Sequence, residues 1–145
     1  MTARPSQSAE DYLERIHELI EEKGYARAVD IAHSLKVRQA SVTAMAQRLA
    51  KDGYLKYEKY RGILLTAKGR EVAGHIQQRH ATLGHFFTLL GIDPATQHQD
   101  IEGIEHHLSH ETVELIADLA AFLENNPATL NKFRASRRSA ASDKI

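Results

Sequence analysis

Apolar side chains recur at helical spacing through most of the chain and alternate with polar ones in one short segment. Residues 8–23 predict a first helix, which we expect Ser8 to cap and Gly24 to end. Its apolar stripe is Tyr12, Ile16, Leu19 and Ile20. A similar pattern predicts a long helix from a cap at Thr66 to about Leu90. Both helices are amphipathic, so each has one face for a core and another for solvent or chemistry.

Between these two helices the pattern predicts a helix-turn-helix followed by a hairpin. Two short helical stripes occur, at Val29, Ile31, Ala32 and Leu35 and at Val42, Met45, Ala46 and Leu49. Only a short turn around Val37 separates them, so the two helices meet at a tight corner. Residues 54–65 then alternate around a turn near Arg61 and Gly62, which is typical of a β-hairpin. This order of elements predicts a winged helix-turn-helix, with the second short helix as its recognition helix.

The C-terminal half predicts further helices. After a break at residues 91–94, Ile101, Ile104 and Leu108 share one side of a short helix. We expect Ser109 to cap the next helix, residues 111–124, which is apolar nearly all round. A terminal helix with two apolar faces buries one in its own core and offers the other to a partner, which predicts a homodimer.

These patterns together predict a mainly α fold with two domains. Residues 1–70 are predicted to form a winged helix DNA-binding domain that includes the first helix and a two-stranded wing. Residues 71–145 are predicted to form an α-helical metal-binding and dimerisation domain. No apolar signal segment and no run of about 18 apolar residues occurs, so we expect a cytoplasmic protein.

Charge is segregated along the chain although the formal net charge is zero. Residues 26–70 contain ten basic and three acidic side chains, whereas residues 71–126 contain one basic and nine acidic. A protein that binds a polyanion with one part and a cation with another has this distribution. Cysteine is absent, so a metal would have to be bound by nitrogen and oxygen ligands.

The basic block contains the side chains that we expect to contact DNA. On the face opposite its apolar stripe, the recognition helix has small residues near its start and basic residues further on. This surface suits entry into a major groove. The hairpin tip carries two cations for the phosphate backbone. The predicted contacts are Arg38, Gln39, Ser41, Thr43, Gln47, Arg48, Lys51, Lys59 and Arg61. The alternative is a helical hairpin and ribbon with an ordinary solvated basic face.

Metal-ligand side chains lie beside the apolar stripes of three predicted helices. In the stretch "DIEGIEHHLS", Glu102, Glu105 and His106 converge on one arc and can bind one ion or share two. Grouped with the other two helices, they form a predicted cluster of Asp11, Glu14, His80, Glu102, Glu105 and His106. Without a cation, several carboxylates so close would repel, and some would take up protons.

Each donor also has an ordinary structural interpretation. Asp11 follows Ser8 at the spacing of a capping box, and acids in a first turn are favoured by the helix dipole. A lone histidine such as His80 at the border of a stripe is commonly a packing residue. The grouping on three helices favours a metal site over solvated acidic faces.

The sequence resembles the DtxR family of metal-dependent transcriptional repressors, and within it the manganese-responsive members. The resemblance covers roughly residues 8–125 and rests on the acids of the first helix, the wing "YEKYRG" and "EGIEHHLS". It implies a binuclear metal site at the six donors, and a repressor of manganese-uptake genes that binds palindromic operator DNA as a homodimer. Oxygen donors at Asp11 and Glu102, where iron-responsive relatives carry sulfur, imply Mn²⁺. The chain ends near residue 145, so we expect it to lack the SH3-like domain of the larger relatives.

Two other functions are compatible with parts of the pattern. A di-metal enzyme would use carboxylates and histidines, but the Glu-x-x-His motif of four-helix di-iron proteins is replaced by Glu102 and Glu105. A winged-helix repressor that senses a small organic ligand would leave the acids solvated. We therefore predict a DNA-binding protein and no enzyme.

Overall fold

The computed structural model describes residues 4–142, and the chain divides after Gln77 into two compact units. The elements are α1 (Gln7–Lys23), α2 (Ala28–Leu35), α3 (Gln39–Lys51), β1 (Leu55–Glu58), β2 (Gly62–Leu65), α4 (Ala67–Leu90), α5 (Pro94–Ile104), α6 (His110–Asn125) and α7 (Pro127–Ser142). The prediction of a mainly α fold with a helix-turn-helix and a two-stranded wing is confirmed. Among the helices of this part of the chain, none combines the length and apolar character that crossing a membrane requires.

Helix α1 begins two residues earlier than predicted, so the expected cap at Ser8 is wrong. Ser6 has an extended backbone, and its hydroxyl accepts a hydrogen bond from the Ala9 N–H at 3.2 Å. Ser8 lies inside the first turn. The predicted end at Gly24 is confirmed, because its φ of +82° lets its N–H reach the Ile20 carbonyl at 2.8 Å.

The core of the N-terminal unit is built from one face each of α1, α2 and α3 and from the wing. Its fully buried side chains include Leu13, Ile16, Ile31 and Val42. The prediction that Val29 belongs to the buried apolar stripe is wrong, because this residue is 56% exposed. It lies two residues before Ile31, and this spacing places the two side chains on opposite sides of the helix.

The wing is an antiparallel hairpin that pairs Leu55 with Leu65 and Glu58 with Gly62. The chain before α2 adds to it, because the Ile63 N–H donates to the Ala26 carbonyl at 3.0 Å. A Cβ at Gly62 would lie 2.8 Å from that carbonyl oxygen, and φ at this residue is +83°. Glycine at position 62 therefore allows α2 and the wing tip to lie side by side.

In the C-terminal unit, α5 begins as the chain break predicted. Asp93 caps it by accepting hydrogen bonds from the Thr96 hydroxyl at 2.5 Å and from the Thr96 N–H at 3.1 Å. These two hydrogen bonds hold the Asp93 pKa below its ordinary value. The helix ends at Ile104, so the expectation that it continues through Leu108 is wrong. Residues 105–107 form a turn, and Ile104 is 37% exposed rather than on a buried stripe.

Helix α6 is capped by Ser109, as predicted, with the Thr112 N–H at 3.1 Å from its hydroxyl. One face buries Val113, Ala120 and Leu123. The other face leaves Leu115, Leu119 and Phe122 exposed by 63%, 46% and 53%. The sequence did not predict α7, which buries Leu130. Its Arg134 donates two hydrogen bonds to the Leu89 carbonyl, at 3.1 and 2.6 Å, at the end of α4.

Candidate metal centre and nucleic-acid interface

Glu105 lies between two imidazoles in the C-terminal unit. One of its oxygens, Oε2, is 3.0 Å from His80 Nδ1, and the other, Oε1, is 3.5 Å from His106 Nε2. Glu105 is fully buried and His106 is 7% exposed, while the His80 side chain is 39% exposed. Three predicted donors are therefore in contact within this unit.

The backbone holds Glu105 in this position from several sides. Its N–H donates to the Ile101 carbonyl at 2.9 Å, and its own carbonyl accepts a hydrogen bond from Arg79 Nη1 at 2.7 Å. Arg79 and His80 are neighbours on α4, whereas Glu105 and His106 follow the end of α5. Because α5 ends at Ile104, the turn that follows places the consecutive residues Glu105 and His106 in one group with His80.

The burial of Glu105 makes its negative charge costly. Removal from water raises the pKa of the Glu105 carboxyl above its ordinary value, and the hydrogen bond from His80 and the charges of both imidazoles oppose that rise. The charge of nearby Glu102 raises the pKa slightly further. Among the described residues, Glu105 Oε1 has no hydrogen-bond partner. A buried carboxylate oxygen in this state is suited to coordinate a cation.

The donor set fits a hard divalent cation. It contains carboxylate oxygens and imidazole nitrogens and no thiolate, since the chain lacks cysteine. Glu102 is exposed and one turn before Glu105. In the N-terminal unit, Asp11 and Glu14 are one turn apart on α1, and both are partly buried.

The sequence did not predict the burial of Glu10, which is 1% exposed beside Asp11. Its carboxylate pairs with Arg4, at 3.0 Å from Nε to Oε1. The only sequence signal was its position in the first turn of a helix, which also suits a solvated acid.

The predicted DNA contacts are all exposed in the N-terminal unit. Seven of them lie on α3 or at its start, and Lys59 and Arg61 lie in the wing loop. The Thr43 hydroxyl donates to the Gln39 carbonyl at 3.1 Å, so it must rotate before it can donate to a base. The predicted set omits two exposed wing tyrosines, Tyr57 and Tyr60. The alternation in the sequence placed Tyr57 on the same side as the buried Leu55, and this placement is wrong because Tyr57 is 54% exposed.

Two family models together cover most of the chain. Residues 5–63 match the iron dependent repressor, N-terminal DNA binding domain, and residues 66–134 match the iron dependent repressor, metal binding and dimerisation domain. The chain belongs to the iron-dependent repressor family. The predicted membership of the DtxR group is thereby confirmed, and the protein is a metal-dependent transcriptional repressor.

Relatives of this repressor extend over nearly its whole length. It is 50% identical over 131 residues to the HTH-type transcriptional regulator MntR of Listeria monocytogenes serotype 4a, covering 90% of this chain and 92% of the relative. It is 49% identical to the MntR of Lysinibacillus sphaericus, covering 92% and 96%. The solved structure of the manganese regulator SloR matches with a TM-score of 0.69 and 27% identity over 83% of this chain. The match spans about half (55%) of the SloR chain.

Proposed function

We propose that this repressor responds to Mn²⁺ and, when loaded, binds a palindromic operator as a homodimer and represses manganese-uptake genes in the cytoplasm. The ligands of a binuclear site are Asp11, Glu14, His80, Glu102, Glu105 and His106. The DNA contacts are Arg38, Gln39, Ser41, Thr43, Gln47, Arg48, Lys51, Lys59 and Arg61. The MntR names of relatives at about 50% identity support manganese as the effector.

The observation that carries the proposal is the buried Glu105 carboxyl between His80 and His106. Ionisation of this carboxyl is less favourable in the folded chain than in water, as its raised pKa indicates. A bound divalent cation supplies the positive charge that stabilises the ionised form of such carboxylates. An oxygen and nitrogen donor set suits Mn²⁺, although Mn²⁺ is at the weak end of the divalent affinity series. Selectivity must therefore come from the number and geometry of the ligands.

The regulatory mechanism follows from where the ligands lie along the chain. Asp11 and Glu14 belong to the DNA-binding unit, whereas the other four ligands belong to the unit that carries the dimerisation helix. Ligands that share cations across this division restrict the separation of the two recognition helices in a dimer. The operator half-sites of such a dimer are about one DNA turn, ~34 Å, apart.

The energetic requirement of this mechanism is moderate. To shift the population of the operator-competent arrangement from 1:99 to 99:1, the cations must bind it about 5.5 kcal/mol more favourably. By linkage, the operator must tighten metal binding by the same factor. Metal affinity measured with and without operator DNA must therefore differ.

The test is a DNA-binding titration with purified, chelator-treated protein. Duplexes selected from a random pool by the Mn²⁺-loaded protein serve as operator, and Mn²⁺, Fe²⁺, Zn²⁺ and Mg²⁺ are compared as effectors. We expect Mn²⁺ to tighten binding by at least tenfold, and H106A to abolish that effect. The matched control is H107A, because His107 is the adjacent, exposed imidazole outside the proposed ligand set.

The same titration separates an error in the assigned ligands from an error in the assigned effector. If E105Q and H106A both retain the effect of Mn²⁺ on operator binding, the assigned ligands are wrong. If Mn²⁺ does not change operator binding by the parental protein, the manganese-sensor proposal is wrong and a repressor with another effector remains. If no duplex is bound under any condition, the assignment of the DNA contacts is wrong as well.

A further inference from the structure

The tip of the wing presents an aromatic side chain in a conformation that costs free energy. The hairpin loop is residues 59–61, and the Arg61 N–H donates to the Glu58 carbonyl at 3.2 Å to close a turn. Tyr60 is the third residue of that turn and has a φ of +74°. Turns that need a positive φ at this position usually have glycine or asparagine there, since a bulky side chain is strained. Strained residues of this kind are commonly found where function requires a particular side chain.

Burial of the Tyr60 side chain contributes little free energy to offset this strain. Its side chain is 88% exposed, the most exposed of the large hydrophobic residues in the described chain. Among the described residues, Lys59 lies over its ring, with Nζ 5.4 Å from the ring centroid. The ring is therefore available to a partner, and a cation is held beside it.

The surroundings of Tyr60 form a concave surface, which we call the wing-tip surface. It is a shallow cavity of about 360 Å³, and the side chains of Tyr57, Tyr60 and Arg27 line it together with Ala28 and Ile63. The Ile63 hydrogen bond to the Ala26 carbonyl joins the start of α2 to the wing and so keeps Arg27 beside the tyrosines. Tyr57 is 54% exposed on the same surface.

The charge of the wing-tip surface suits a polyanion. Arg27 lies within it, and Lys59 and Arg61 flank Tyr60 in the loop. The acid here, Glu58, is paired with Arg61 at 3.4 Å and with Lys56 at 3.7 Å, so its charge is offset twice. Exposed tyrosines among cations suit the sugars and phosphates of a nucleic acid better than an acidic protein partner, because the rings add apolar contact with deoxyribose.

We propose that Tyr60 contacts duplex DNA directly. Its ring packs against the sugar edge of the groove beside the half-site read by α3, and its hydroxyl donates to a phosphate oxygen. This inference rests on the proposed operator binding and adds a residue to it. Tyr60 carries no charge, so it strengthens binding without displacing a counterion, whereas Lys59 and Arg61 act through the phosphate charge.

The experiment compares Y60G, Y60F and K59A with the parental protein on one operator duplex selected with Mn²⁺, across a salt series. We expect Y60G to weaken binding about tenfold and Y60F about threefold, on the scale of one apolar contact and one hydrogen bond. The slope of log affinity against log salt should be unchanged in both. For K59A, that slope should become shallower by about 0.9.

Thermal melting separates lost contact from lost folding. Glycine accepts the positive φ without strain, so Y60G should melt at or above the parental temperature. Weaker DNA binding by a variant that is no less stable supports the inference. Equal operator affinity of Y60G and the parental protein overturns the inference alone. Failure of the parental protein to bind any selected duplex with Mn²⁺ overturns the proposed function together with it.

Discussion

Glu105 combines burial, a raised pKa and two imidazole neighbours, and these properties predict how the metal-free protein responds to pH. A carboxyl with a raised folded pKa binds its proton more tightly when folded. It therefore lowers the free energy of unfolding as pH rises from its unfolded pKa through its folded pKa. Glutamine cannot ionise, so as pH rises above the ordinary glutamate pKa, E105Q should lose less stability than the parental protein.

Urea denaturation of chelator-treated proteins at several pH values measures this difference. The control is E111Q, because Glu111 is exposed on α6 and is not among the groups that shift the Glu105 pKa. Identical profiles for E105Q and the parental protein would show that the Glu105 charge carries no penalty in the fold.

Two glycines of α4 predict opposite effects of the same substitution. A Cβ at Gly69 would overlap the Tyr54 carbonyl oxygen, which belongs to the backbone and cannot move away easily. At Gly74 nothing lies within 4 Å of an added Cβ. We expect G69A to lower the free energy of unfolding by about 3 kcal/mol or more. G74A should raise it by about 0.5–1 kcal/mol, because alanine is the better helix former.

Chemical denaturation of both variants under one condition checks this pair. A neutral G69A would mean that α4 and Tyr54 do not approach closely. A destabilised G74A would mean that its helix face is covered in the native protein.

Among the elements, α1 begins beside two serines, Ser6 and Ser8, that have different structural roles. Ser6 satisfies the Ala9 N–H, whereas Ser8 lies within the helix. S6A should therefore cost about 1 kcal/mol of stability. S8A should be neutral or slightly stabilising, since alanine has the higher helix propensity. If S8A is the more costly change by denaturant titration, the helix begins where the sequence first suggested.

The sequence predicted most element boundaries because local chemistry determines them. Gly24, Thr66 and Ser109 end or cap helices through their own backbone or side chain, as their positions predicted. Ser6 and Ser8 are both serines, which are favoured as helix caps, so residue preference alone does not distinguish them. Helix α7 was missed because Leu130 is the only residue that it buries among the described positions, so its apolar period is weak.

The candidate site was predictable in its residue types and less so in its geometry. His80, Glu105 and His106 were chosen as donors, and the fold brings them into contact. That Glu105 is fully buried could not be read from a helical arc, because α5 ends before it and a turn presents the side chain. The wing tyrosines were overlooked because an aromatic residue in a hairpin is ordinarily assigned to packing.

For the whole molecule, the exposed apolar stripe of α6 predicts the surface through which two chains form a dimer. Leu115, Leu119 and Phe122 share one exposed side of the helix. This helix lies within residues 66–134, which match the family's metal binding and dimerisation domain. L119E places a charge on this stripe and should shift the molecule to a monomer by analytical ultracentrifugation, with operator affinity reduced at least tenfold. A121E is the control, since Ala121 is exposed but lies outside the stripe. A dimer that persists in L119E would mean that another surface joins the subunits.

The proposed mechanism requires that the ligands of both units bind the same Mn²⁺ ions. Calorimetric titration of Mn²⁺ into the chelator-treated protein, compared with D11N/E14Q and with H106A, tests it most directly. Asp11 and Glu14 lie in the DNA-binding unit and His106 in the other. We expect two ions per parental chain, and weakened Mn²⁺ binding whichever unit is changed. Retention of both ions at parental affinity by D11N/E14Q would contradict it.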